Sequence, residues 1–121
     1  MAANKTLNVP PAFVPSAAGN LFNVGTTSGA VGFTGANPYA IIKHIRLLNK
    51  SGGSVSVTLY KGATGGSASG TEFAVAGYSI PANSFVDWYG NARFDSADFL
   101  SGIAGSASAI VIEIDGEIGI A

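Results

Sequence analysis

His44 is the one imidazole in the chain, so general-base or triad chemistry would have to be built on it. Such chemistry needs a nucleophile and an orienting carboxylate converging on the ring. The residues next to His44 are instead Lys43 and Arg46, cations that would depress its pKa rather than orient it. His44 therefore reads as a solvated strand residue. Asp95 and Asp98, three apart, would need different environments to act as an acid and a base. They read more simply as the start of a short helical turn in "FDSADFLSG", with Asp95 or Ser96 capping it and Asp98 in its first turn. Glu113, Asp115 and Glu117 alternate, which lines one face of a strand and does not follow the spacing of a calcium loop. The loop "KGATGGSASG" lacks the lysine and the following helix of a phosphate-binding loop. The aromatics are the richest group: Phe85, Trp88, Tyr89 and Phe94 lie close together, with Tyr39 and Tyr60 elsewhere. They form either a platform for sugar rings or, the simpler reading, a buried Trp88 with tyrosines at an edge or interface. No catalytic residue, metal or cofactor follows from this inventory, and the chain reads as a non-enzyme.

These side chains sit on elements whose pattern is mostly of period two. Along "YAIIKHIRLLN", Ile41, Ile45 and Leu47 share one face, and His44 and Arg46 lie on the other. "KSGGS" then reads as a hairpin loop, and "VSVTLY" returns with Val55, Val57 and Leu59 together. Residues 21–24 and 73–80 are further strand candidates, with Gly77 marking a bulge in the latter. "PANS" is a turn, "FVDWY" is a strand ended by Gly90-Asn91, and residues 25–38 and 61–72 are glycine-rich loops. At the end, Ile110, Ile112 and Ile114 share a face, and Asp115-Gly116 has the composition of a two-residue hairpin turn. The acids there read as guards against pairing with a wrong edge. Residues 1–19 contain Pro10, Pro11 and Pro15 and show no period. They read as an extended arm or a disordered terminus, preceding a domain over residues 20–121. Short strands and polar turns predict an all-β antiparallel β-sandwich.

Composition narrows the function classes. The chain has 121 residues, a size that favours one domain. Charged residues are only 11%, against a usual quarter, and so bland a surface suits a protein covered by neighbours. A net charge of −1 with no basic patch argues against nucleic-acid partners. The absence of cysteine excludes disulfides and thiolate metal sites. The prolines interrupt any signal-like apolar run, and no stretch is apolar for long enough to span a membrane as a helix. A soluble, cytoplasm-made protein is the expectation.

The segment "IIKHIRLLNKSGGSVSVTLYKGATG", with "IPANSFVDWYG" and "AIVIEIDGEIGIA" downstream, resembles small virion structural proteins of tailed bacteriophages. The resemblance is one of pattern and covers about residues 21–121. It is similar to capsid decoration (cement) proteins and to β-sandwich modules of fibres and tails. It implies a small antiparallel sandwich, with the jelly roll as one form. It also implies a binding function: copies on the outer capsid surface of the virion, as homotrimers, stapling subunits of the major capsid protein. The alternative it leaves is a tail or head fibre module binding a receptor or glycan. The family has no catalytic residues to carry over. Phe13 and Val14 of the arm, with Phe33, Tyr39 and Tyr89, are the expected interface residues.

Overall fold

Alternation of apolar and polar side chains produces strands here, but the two most regular strands are not partners. The computed structural model describes residues 5–24, 38–62 and 64–120. It contains eight strands: β1 (Lys5–Phe13), β2 (Gly19–Asn23), β3 (Pro38–Asn49), β4 (Val55–Gly62), β5 (Tyr78–Ile80), β6 (Phe85–Asp95), β7 (Phe99–Ala104) and β8 (Ile110–Ile120). They form two four-stranded antiparallel sheets, ordered β1-β8-β3-β6 and β2-β7-β4-β5. Strand partners are therefore nested: β4 with β5, β3 with β6, β2 with β7, β1 with β8. The inner faces pack as a β-sandwich. Ala40, Ile42, Ile45, Leu47, Phe94, Ile112, Ile114 and Ile118 of the first sheet meet Phe22, Val55, Val57, Leu59 and Leu100 of the second in one buried cluster. Phe94 reaches Phe22 edge-on across the layers, with ring centroids 6.2 Å apart.

The expected β3–β4 hairpin is corrected to an arch. Val55, Val57 and Leu59 keep the expected apolar face of β4, and Ile45 and Leu47 that of β3, where Ile42 is buried in place of the expected Ile41; residues 50–54 carry the chain from one sheet to the other. Asn49, fully buried at the end of β3, makes the crossing possible. Its Nδ2 donates to the carbonyls of Gly53 (2.8 Å), Ile80 (2.9 Å) and Pro81 (3.3 Å). Its Oδ1 accepts from the Ser51 amide (2.9 Å) and hydroxyl (2.7 Å). An unpartnered buried carbonyl costs about 1–3 kcal/mol. Asn49→Ala, which removes the donor shared by these carbonyls and the acceptor of the Ser51 amide, is expected to lower stability by about that amount in urea melts. An unchanged midpoint would show that the arch does not depend on this side chain.

The assignment of residues 1–19 to an arm outside the domain is corrected for its described part, which begins at Lys5. Lys5–Phe13 is β1, an edge strand paired with β8 from Lys5↔Ile118 to Phe13↔Val111. Pro10 and Pro11 fall where that register shifts, between Val9 and Ala12. Proline, lacking an amide hydrogen, is accommodated at such edge irregularities, and there it hides the alternation of Leu7 and Val9.

Two glycine signals have a different meaning in the fold. Asp115-Gly116 is no turn, because β8 runs straight through it. β3 carries a bulge between Ile42 and His44, so that Ile42 and Ile45 both face inward. The bulged backbone presses on β8 at Gly116, where a Cβ would lie 2.1 Å from the Ile41 carbonyl oxygen. Gly90 does not end β6 either; the Trp88 ring lies over it, 2.8 Å from where a Cβ would be. Trp88 is consequently half-buried, packed edge-on against Phe73 with centroids 5.1 Å apart. Gly77, at φ +61°, ends an irregular segment before β5 rather than bulging a strand. "FDSADFLSG" forms a β-turn, not a helical turn: the Asp98 amide donates to the Asp95 carbonyl and the Asp95 amide to Asp98 Oδ2, both 2.9 Å. The loop after β4 is tied down, with Ser101 Oγ donating to the Gly66 carbonyl (2.6 Å) and the Gly65 amide to Asn20 Oδ1 (2.6 Å).

Candidate functional site

Register decides which side chains share the outer face of the first sheet, because directly opposed residues point the same way. At one end, Phe13 opposes Val111, Val111 opposes Leu48 and Leu48 opposes Phe85. These four make an apolar row across all four strands, and Phe13 (46%), Leu48 (37%) and Phe85 (55%) are exposed. Cations flank it: Arg46 lies over the Phe85 ring at 4.5 Å, and Lys50 Nζ is 5.4 Å from the Phe13 centroid. A shallow cavity of about 170 Å³ opens beside Pro11, Ala12, Phe13 and Val111.

Two residues along each strand comes a charged row of Glu113, Arg46 and Asp87, then a third row of Asp115, His44 and Tyr89, completed by Asn8. His44 joins them. Its Nε2 is 2.9 Å from Asp87 Oδ1 and its Nδ1 is 3.2 Å from Asp115 Oδ2. Tyr89, 71% exposed, stacks on the imidazole with centroids 4.8 Å apart. Arg46 grips Asp87 through Nε (2.8 Å) and Nη2 (3.2 Å), and Asn8 Nδ2 donates to Asp115 Oδ1 (3.1 Å). Lys43 pairs with Glu117 beyond them.

The expected depression of the His44 pKa is reversed. Burial pushes it down, but hydrogen bonds and charge from Asp87 and Asp115 outweigh that and raise it above 6.5. The Arg46 hydrogen bond, followed by that of His44, draws the Asp87 carboxyl from 3.8 down to about 2. The acids of β8 are likewise not guards of an edge: β8 lies between β1 and β3, and Asp115 and Glu117 pair with cations of β3. No group of His, Asp or Glu among the described residues is arranged to hold a metal ion.

The expected interface residues separate. Phe13 and Tyr89 are exposed on this face. Tyr39 is half-buried on the same side of β3, under the Arg93 guanidinium at 4.4 Å. Val14 is corrected from interface to core: it is fully buried, and its amide donates to the Ile110 carbonyl (2.8 Å). Phe33 lies outside the described residues. Sequence reasoning missed Leu48 and Phe85, whose signal was parity. Leu48 follows inward-facing Leu47, and Phe85 stands two places before Asp87 on the outward side.

A scan of protein-family models finds none that matches the chain, and no curated protein matches it either. Among the described residues no helix is long and apolar enough to cross a membrane.

Proposed function

We propose that this protein is a capsid decoration protein of a tailed bacteriophage. On this reading it binds the outer shell through the outer face of its first sheet and staples neighbouring subunits of the major capsid protein. The carrying observation is the row Phe13–Val111–Leu48–Phe85, apolar and largely exposed beside rows that hold ion pairs. An exposed apolar patch rimmed by polar groups marks an interaction surface. The nested strand order supports the finer fold reading, a jelly roll, two sheets wound from one antiparallel ribbon. Association as homotrimers completes the reading, since several modest contacts then act together through effective concentration.

The test is co-sedimentation with undecorated expanded capsids, with copies per particle counted by mass analysis. Hundreds of copies on the shell support decoration; a few copies at the tail favour a fibre module. Replacing Leu48 and Phe85 together by serine is expected to weaken pelleting at least tenfold, because central apolar contacts dominate interface energies. Both side chains are exposed, so the thermal midpoint should move little. Unweakened pelleting of the double variant would remove this face from the shell contact.

A further inference from the structure

We propose that His44 is a proton-operated clasp in the middle of the outer face: its charged ring ties β6 to β8 across β3, and its neutral ring releases Asp115. Both ring nitrogens face carboxylate oxygens, at 2.9 Å and 3.2 Å. A carboxylate offers only acceptors, so both nitrogens must be donors, and only the imidazolium donates from both. The neutral ring keeps one hydrogen and turns a lone pair towards one carboxylate. That contact must open.

Which contact opens follows from the surroundings. Asp87 is the more buried, 15% exposed against 39% for Asp115, and is already fixed by two hydrogen bonds from Arg46. Asp115 lies farther from the ring and retains the Asn8 amide as an alternative donor. The neutral ring therefore keeps its hydrogen on Nε2, towards Asp87, and Asp115 swings towards β1. The other cations near the ring are already engaged. Arg46 of β3 is committed to Asp87, Lys43 of β3 to Glu117 of β8, and Tyr89 of β6 covers the ring face. Glu113 of β8 flanks Arg46 in the next row.

The outer face then gains one uncompensated carboxylate and loses the cation beneath Tyr89, at a distance of two rows from the apolar strip. With the pKa of His44 raised, the folded ring holds its proton to higher pH than a free imidazole; the stability this contributes is present below about pH 6.5, and the clasp opens as pH rises through the higher folded value. The clasp needs no partner to operate. Its effect on docking rests on the reading of this face as the one that meets the shell.

The single histidine makes the test direct. Isotope-labelled protein is titrated by NMR, following the ring nitrogens, the Cε1 proton and the Asp115 side-chain carboxyl carbon. The expected result is one midpoint above 6.5 shared by ring and Asp115, and a neutral ring protonated at Nε2. Asp115→Asn, a swap at a half-exposed side chain, should lower that midpoint while the fold persists. A midpoint at or below 6.5, a neutral ring protonated at Nδ1, or an Asp115 signal that ignores the ring would overturn the clasp. Pelleting with capsids is then compared at about pH 6 and about pH 8, the range a histidine can span. Wild-type pelleting should change several-fold and that of His44→Gln should stay level. Equal wild-type pelleting at both values overturns the control of docking. A chain that pellets at neither value tells against the shell reading, and the ring titration alone then decides the clasp.

Discussion

A chain lacking residues 2–14 will fail to form the cooperative sandwich. That deletion removes all of β1, which is one of the two neighbours of β8. It also removes Leu7 and Val14, both fully buried in the core. Truncating a buried leucine alone costs about 2–5 kcal/mol, and losing Val14 adds a cost of the same kind. Against a total stability of about 5–15 kcal/mol for a domain, these losses take a large share, before the pairing of β1 with β8 is counted. The deletion also bares one edge of β8, the isoleucine-rich strand, an invitation to edge-to-edge aggregation. The expected outcome is loss of amide dispersion in NMR spectra and of a sigmoidal thermal melt, with material moving into the insoluble fraction. A truncated chain melting within a few degrees of the full one would mean that β1 is an ornament of the sheet and not a part of it.

Gly116→Ala is the second large effect, and it comes from one atom. The added methyl carbon would sit 2.1 Å from the Ile41 carbonyl oxygen and 3.2 Å from Ile42 Cα. These are backbone atoms, so no side chain can rotate away. Either β3 and β8 separate locally or the bulge at Lys43 is expelled, and expelling it would turn one half of β3 inside out. Overpacking costs about 1–3 kcal/mol where side chains can shift; here a value above about 4 kcal/mol is expected, the range reserved for disrupted architecture. Urea unfolding of the variant measures it. The adjacent half-exposed Glu117→Ala, within about 1 kcal/mol of wild type for a surface ion pair, serves as the control. Gly116→Ala as stable as that control would mean that the close approach at Gly116 carries no constraint.

The fold class was legible because alternation specifies which side of a strand is apolar, and that information is local. Partners are not local. Ile45, Leu47, Val55, Val57 and Leu59 turn inward as their parity requires, yet the same parity serves a hairpin or an arch. The choice was made by Asn49, whose burial depends on carbonyls some thirty residues downstream. Pro10 and Pro11 masked the short alternation of Leu7 and Val9, and the bulge at Lys43 put Ile42 and Ile45 on one side against simple counting. The candidate site was hidden for the same reason. Next to His44 the sequence shows only cations; its carboxylates stand 43 and 71 residues away, and register alone brings them to the ring. Tyr89 and Phe13 were found from residue type, while Leu48 and Phe85 needed the knowledge of which strands lie side by side.

The nested pairing also governs the order in which this molecule can be made. Among the described strands, the only partners adjacent in the chain, β4 and β5, share just three rungs, from Val55↔Ile80 to Val57↔Tyr78. Every later pairing encloses the one before it, and Lys5 meets Ile118 only when more than a hundred residues separate them along the chain. Such long closures give little return until they are nearly complete, which places folding on the millisecond-to-second scale of non-local β topologies. During synthesis, β1 emerges early and must remain unpaired until β8 has been made. Its paired prolines, which resist pairing with other strands, make the strand that waits longest a poor seed for aggregation.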